Sequence, residues 1–253
     1  MSNITDYPLL VLAVAFFALW LSSRIGSSIL KKRRKLEEDM REDFGVIQSA
    51  TLTLLGLIIG FTFSMAVSRY DQRKNYEEQE ANAIGTEYVR ADLLPEADAS
   101  RVRALLSSYL DQRILGYKAR LDPQIRQINA ETARLQTQLW AAVTKPAAAQ
   151  PTPVIALVVS GMNHVLNSQG YTQAAWWNRI PFEAWLLLIA ISIFCNVLIG
   201  YGAHGRSAFL FLILPIALSI SLFLIADIDS PRGGVIRVRP QNLESLANSL
   251  HPQ

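Results

Sequence analysis

Four segments of this chain are long and apolar enough to cross a bilayer, and nothing else in the sequence narrows its fold so far. Hydrocarbon offers no water to peptide groups, so a spanning segment is a helix of about 20 mostly apolar residues. The first candidate runs from about Tyr7 to Ile29, the second from about Gly45 to Ser68, the third from about Phe182 to Ala203 and the fourth from about Ser207 to Ile228. Only His204, Gly205 and Arg206 separate the third from the fourth, which predicts an antiparallel hairpin. Asp6 is the only charge ahead of the first segment, which has no basic leader and no evident small-residue cleavage site, so it is expected to remain as an anchor. The apolar content of 51% excludes a disordered chain, and the charged content of 18%, below the roughly 25% of soluble domains, argues against an ordinary soluble enzyme.

Between the second and third spans, residues 69–181 read as helical. No proline interrupts the chain from Gly45 to Leu94, so the second helix is expected to continue into water as far as Pro95. Fifty residues at 1.5 Å each make about 75 Å, against a hydrocarbon thickness of about 30 Å. A further helix is predicted from a cap at Asp98 or Ser100, with Leu105, Leu106, Tyr109, Leu110, Ile114 and Leu115 on one stripe. The next starts at Asp122-Pro123, a cap followed by proline at the first helical position. Lys145 to Pro153 reads as a linker, and Val154 to Trp177 as another helix. Gly234 to Arg239 alternates like a short strand, and Asn242 to Leu250 like a short amphipathic helix. The expected fold is all-α and integral to the membrane: 1–68 for spans one and two, 69–181 for a helical extramembrane domain, 182–228 for the hairpin and 229–253 for a tail.

Chemistry-bearing groups are sparse. His164, His204 and His251 are scattered, no histidine pair has metal-ligand spacing, and Cys195 is the only cysteine, so neither a metal, a cofactor nor a disulfide framework is expected. No nucleophile has a visible partner, so an enzyme is not expected. Twenty-four basic against 21 acidic residues is too even for a nucleic-acid partner. Glu77, Glu78 and Glu80 read as a solvated face pairing with Arg73 and Lys74, and Glu87, Arg90 and Asp92 likewise. Asp227 and Asp229 end the fourth span, where a structural role at helix termini or with Arg232 is expected. Ser192 and Asn196 are expected to bond to a neighbouring helix.

The second span is two-faced. Ser49, Thr53, Gly56, Gly60 and Ser64 form a small-residue stripe that lets helices approach closely, and Ser49, Gly56, Gly60 and Ser64 are the candidate packing positions. Roughly opposite lie Gln48, Thr51, Leu55, Ile59, Thr62, Arg69 and Arg73, the candidate pore-lining positions. Leu55 and Ile59 would constrict the path, and Arg69 and Arg73 would ring one mouth with positive charge. Four spans leave little room for a path within one subunit, so such a pore needs a ring of copies.

Basic residues in short loops set orientation. Lys31, Lys32, Arg33, Arg34, Lys35, Arg41 and Arg206 lie in the two short connections, against Arg232, Arg237 and Arg239 in the tail, seven against three. That count places both termini and residues 69–181 outside the cytoplasm.

Several stretches carry a resemblance: Gly60 to Asp71 (GFTFSMAVSRYD), Glu80 to Thr86 (EANAIGT), Leu93 to Glu96 (LLPE), Gly200 to Gly202 (GYG), Asp227 to Pro231 (DIDSP) and Gly234 to Arg237 (GVIR). Together they resemble the bestrophin-like family of bacterial inner-membrane proteins over about residues 45–245. Ser68 to Lys74 also resembles the segment after the second span of the bestrophins, which are pentameric anion channels with four spans per subunit. The aromatic pair expected there is missing, and no acidic cluster suited to calcium follows the fourth span. The resemblance implies a homo-oligomer, pentameric by preference, passing inorganic anions along the second span. Bestrophins keep their large helical part in the cytosol, opposite to the basic-residue count. The other expectation is a non-conducting sensor or scaffold whose extramembrane helices bind a partner.

Overall fold

The computed structural model describes residues 4–30, 40–120, 122–202 and 210–250. The basic stretch from Lys31 to Lys35, the hairpin connection with His204 and Arg206, and His251 lie outside the described residues. Helix α1 is Pro8–Ile25 and runs into a π-helical turn, Gly26–Leu30. Helix α2 is Met40–Arg90, 51 residues without a break, closed by a 3₁₀ turn at Ala91–Leu93. Then follow α3 (Glu96–Lys118), α4 (Asp122–Ala149), α5 (Pro153–Trp177), α6 (Phe182–Gly202), α7 (Leu210–Asp229) and α8 (Gln241–Leu250). Stretches long and apolar enough to cross a membrane fall at Pro8–Ser28, within Met40–Leu93, within Pro153–Gly202 and at Leu212–Asp229.

Local chemistry explains the helix ends. Thr152 Oγ1 accepts from Ile155 N at 3.2 Å and caps α5, with Pro153 at the first position where its missing N–H costs nothing. Helix α3 begins two residues earlier than the expected cap, without a side-chain cap; Glu96 and Asp98 in its first turn complement the helix dipole instead. The predicted linker shrinks, because α4 continues through a buried Pro146 to Ala149, leaving only 150–152 outside helices. No strand occurs among the described residues. The predicted strand at 234–239 is an irregular turn because Asp227 takes its amides: Val235 N and Ile236 N donate to the two carboxylate oxygens at 2.8 and 2.7 Å.

The chain forms two compact units, Met1–Tyr70 with Arg179–Arg237, and Asp71–Asn178 with Val238–Gln253. In the first, α1 packs on α6 and α7 around Leu19, Leu55, Ala66, Trp185, Leu188, Leu222 and Ile225. The close backbone approach lies between α1 and α6. A β-carbon at Gly200 would overlap the Ser23 carbonyl oxygen, and one at Gly26 would overlap the Val197 carbonyl oxygen. Glycine at both positions is thus a packing requirement of the kind membrane helices use. In the second unit, α3, α4 and α5 pack in sequence, with α8 on α3. Its core includes Ile84, Leu106, Tyr109, Leu139, Val158, Met162 and Leu243.

Candidate functional site

Burial along α2 alternates with the helical period and separates its two faces. Leu55 and Thr62 are buried at 1% and 4% exposure, and Gln48, Thr51 and Ile59 are partly buried. Cys195 Sγ on α6 donates to the Thr51 carbonyl at 3.7 Å, and Phe44 meets Tyr201 edge-on at 5.6 Å. This face packs on α6 and the rest of its own unit. On the other side Ser49, Thr53, Gly56, Leu57, Gly60, Phe61 and Ser64 are exposed, and a β-carbon at Gly56 or Gly60 would meet nothing within 4 Å.

Leu55 and Thr62, expected to face a lumen, are covered by their own chain. The same holds for the positive ring. Arg69 is held 4.0 Å from Asp229, with its side chain 15% exposed, and Arg73 is buried at 2%. The stripe expected to pack against a neighbouring helix has no partner among the described residues. Periodicity found both stripes; it could not say which one the chain covers, since each is compatible with helix packing. The exposed stripe also contains Leu57 and Phe61, beside glycines and serines that dominate its sequence pattern.

Asp229 and Asp227 are both buried and bond to backbone amides at the ends of their elements. Asp229 accepts from Ile180 N at 3.2 and 3.3 Å and anchors the entry to α6 beside Arg69. Ser192 and Asn196 bond within α6 rather than to a neighbour: Ser192 Oγ donates to Leu188 O at 2.7 Å, and Asn196 Nδ2 to Ser192 O at 2.8 Å.

In the second unit the carboxylates expected to be solvated are mostly inside. Arg73, Glu77, Glu80, Ile84, Glu87 and Ala91 recur at steps of three and four and are all buried. That regular seam, read as a core face, was the available signal. Glu78 and Asp92 do remain exposed. Glu80 receives Arg113 Nε on one oxygen; the other accepts Arg113 Nη2 at 3.4 Å, Tyr117 O–H at 3.3 Å and Thr172 O–H at 3.2 Å. Burial works against the Arg113 charge, yet the Glu80 carboxylate holds its proton affinity above the ordinary value. Burial, then the same carboxylate, pushes the Tyr117 hydroxyl up. Glu77 Oε1 accepts from Asn242 N and Leu243 N at 2.9 and 3.0 Å, and Oε2 from Asn242 Nδ2 at 2.6 Å. It thereby caps α8 from another helix. Among the described residues no group of three or more His, Cys, Asp or Glu side chains could hold a metal.

Comparison with known proteins agrees with this architecture. The Bestrophin-like domain family matches residues 9–243. No curated protein sequence matches the chain. Among solved structures, three forms of a bestrophin homologue from Klebsiella pneumoniae share the fold. One point variant is 15% identical with a TM-score of 0.65, covering 96% of this chain and 99% of that one. A second is 14% identical with a TM-score of 0.68, covering 94% and 96%. The form phased by zinc anomalous scattering is 15% identical with a TM-score of 0.65, again covering 94% and 96%. With four membrane-length helices and a family match over most of its length, this chain is a membrane protein and belongs to the bestrophin-like family.

Proposed function

We propose that the chain forms a homo-oligomeric ion channel, a closed ring of copies with five favoured, in which the free face of α2 lines the path. One observation carries this reading. Where the chain leaves α1, α6 and α7 exposed, it presents large apolar side chains such as Leu9, Phe17, Leu186, Phe194, Ile213 and Ile220. Helix α2 exposes apolar side chains too, among them Leu54, Leu57 and Phe61, but its free face interleaves them with Ser49, Thr53, Gly56, Gly60 and Ser64. A face that meets only lipid gains nothing from serine and threonine, whereas a water-filled path does. Leu57 and Phe61, 54% and 66% exposed, replace Leu55 and Ile59 as the apolar constriction.

Anion preference was expected from Arg69 and Arg73, but Arg69 is partly covered and Arg73 buried within the chain, which weakens the case for a basic ring. The exposed charges on α2 just beyond its apolar part are Asp71, Lys74 and Glu78. Two carboxylates beside one ammonium favour weak charge selection over a strong anion filter. We place both termini and residues 69–181 outside the cytoplasm on the seven-to-three basic count. An impermeant thiol reagent applied to intact cells should label a cysteine introduced in the exposed turn 150–152; labelling only after lysis would reverse the orientation.

The channel is tested by native mass spectrometry of the detergent-purified protein followed by flux from liposomes. A single closed oligomer with flux that rises in Leu57→Ala and Phe61→Ala is the expected result. A monomer, or an oligomer without flux, would leave the scaffold reading in its place.

A further inference from the structure

Glu87 is the one buried carboxylate of the α2 seam whose burial the hydrogen bonds above do not explain. It is 0% exposed, and both its carboxyl oxygens are buried with no hydrogen-bond partner. It sits over Gly161 of α5: a β-carbon there would overlap Glu87 Oε2 and come within 2.6 Å of Arg90 Nη1. Only glycine leaves room for the two side chains, so α2 and α5 meet through a carboxyl group. An ionised carboxylate there would face the full desolvation cost, whereas a protonated one would not.

The groups around it are few. Arg90, on the same helix, is the nearby cation. Helix α5 contributes no acidic or basic side chain, and its only histidine, His164, is exposed. From α3, Arg103 is engaged by Asp92 and by the Tyr88 carbonyl at 3.4 Å. Helix α8 reaches Gly85 through Leu246, and its Glu244 pairs with Lys118 at 2.6 Å.

We infer that Glu87 is a proton-binding site at the α2–α5 contact, seated over Gly161 when protonated and expelled from that contact when ionised. Burial, only partly offset by Arg90, pushes its pKa from 4.5 up to about 8, inside the physiological range. The sign follows from linkage. Because the folded state holds this proton more tightly than the unfolded state, the contribution to stability is complete below pH 4.5. It is lost as pH rises through about 8. The inference does not depend on conduction.

The test uses the full-length protein in detergent. The thermal midpoint of wild type is expected to fall as pH rises from 4.5 to about 8 and to level off above that, and that fall should be absent or reduced in Glu87→Gln, which stays neutral. Identical pH profiles for the two proteins would overturn the inference. Should Glu87→Gln not fold, infrared difference spectroscopy on wild type with isotope-labelled glutamate decides. A protonated carboxyl band present at neutral pH and lost at high pH supports the site; no such band at neutral pH overturns it.

Discussion

The inward face of α2 is built from different materials in the two units it passes through. In the first unit it presents Leu55, Thr62 and Ala66, and the tightest contact nearby is backbone on backbone, at Gly26 and Gly200. In the second it presents Arg73, Glu77, Glu80 and Glu87 beside Ile84 and Ala91. Lipid is as apolar as leucine, so helices inside it gain little from apolar burial and rely on close van der Waals approach. On our reading the second unit lies in water, where the hydrophobic effect holds it together and buried charges are accommodated provided they are bonded. Such charges fix which helix meets which: Glu80 selects α3 through Arg113 and α5 through Thr172, while Glu77 selects α8.

The largest expected effect comes from filling the glycine contact of the first unit. Gly200→Leu should abolish recovery of monodisperse protein, because the Ser23 carbonyl cannot swing aside, and the cost should exceed the about 1–3 kcal/mol of ordinary overpacking. Gly56→Leu, on the free face, should leave the subunit folded and alter only its assembly, read by size-exclusion chromatography and native mass spectrometry. Equal effects at the two sites would break the comparison.

Next comes the buried pair of the second unit. Arg113→Met leaves Glu80 without its cation and should cost about 3–5 kcal/mol, seen as a lower thermal midpoint. Adding Glu80→Gln to Arg113→Met should recover part of that loss. Removing the cap of α8 is milder. Glu77→Ala should cost about 0.5–2 kcal/mol, with faster hydrogen exchange confined to residues 241–250. Smallest is Arg134→Ala, which removes an exposed pair with Glu131 on one turn of α4 and should leave the midpoint unchanged.

Much of the fold was legible because its signals are local and redundant. Four apolar runs, an uninterrupted stretch to Pro95 and proline or glycine punctuation fix helices whatever their tertiary neighbours. The faces were not legible in the same way. Ser49-Gly56-Gly60 and Leu55-Thr62 repeat with the same period, and only the positions of α6 and α7 decide which stripe is covered. The Glu77, Glu80 and Glu87 series was read as solvent-facing because glutamates on a helix usually are. What turns them inward is Arg113, the α8 amides and the Gly161 notch, distant in sequence and invisible to spacing on one helix. The strand expected at 234–239 failed for a related reason, since a side chain of α7 took the amides a partner strand would have needed.

The central claim is that the exposed stripe of α2, rather than the covered one, lines an ion path. Cysteine accessibility tests it most directly, with single cysteines at positions 55, 57, 61, 62 and 64 in a Cys195→Ser background, reconstituted into liposomes. A water-soluble thiol reagent should block ion flux through the proteins substituted at 57, 61 and 64 and leave those substituted at 55 and 62 unaffected. Block at 55 and 62 with none at 57, 61 and 64 would contradict the account.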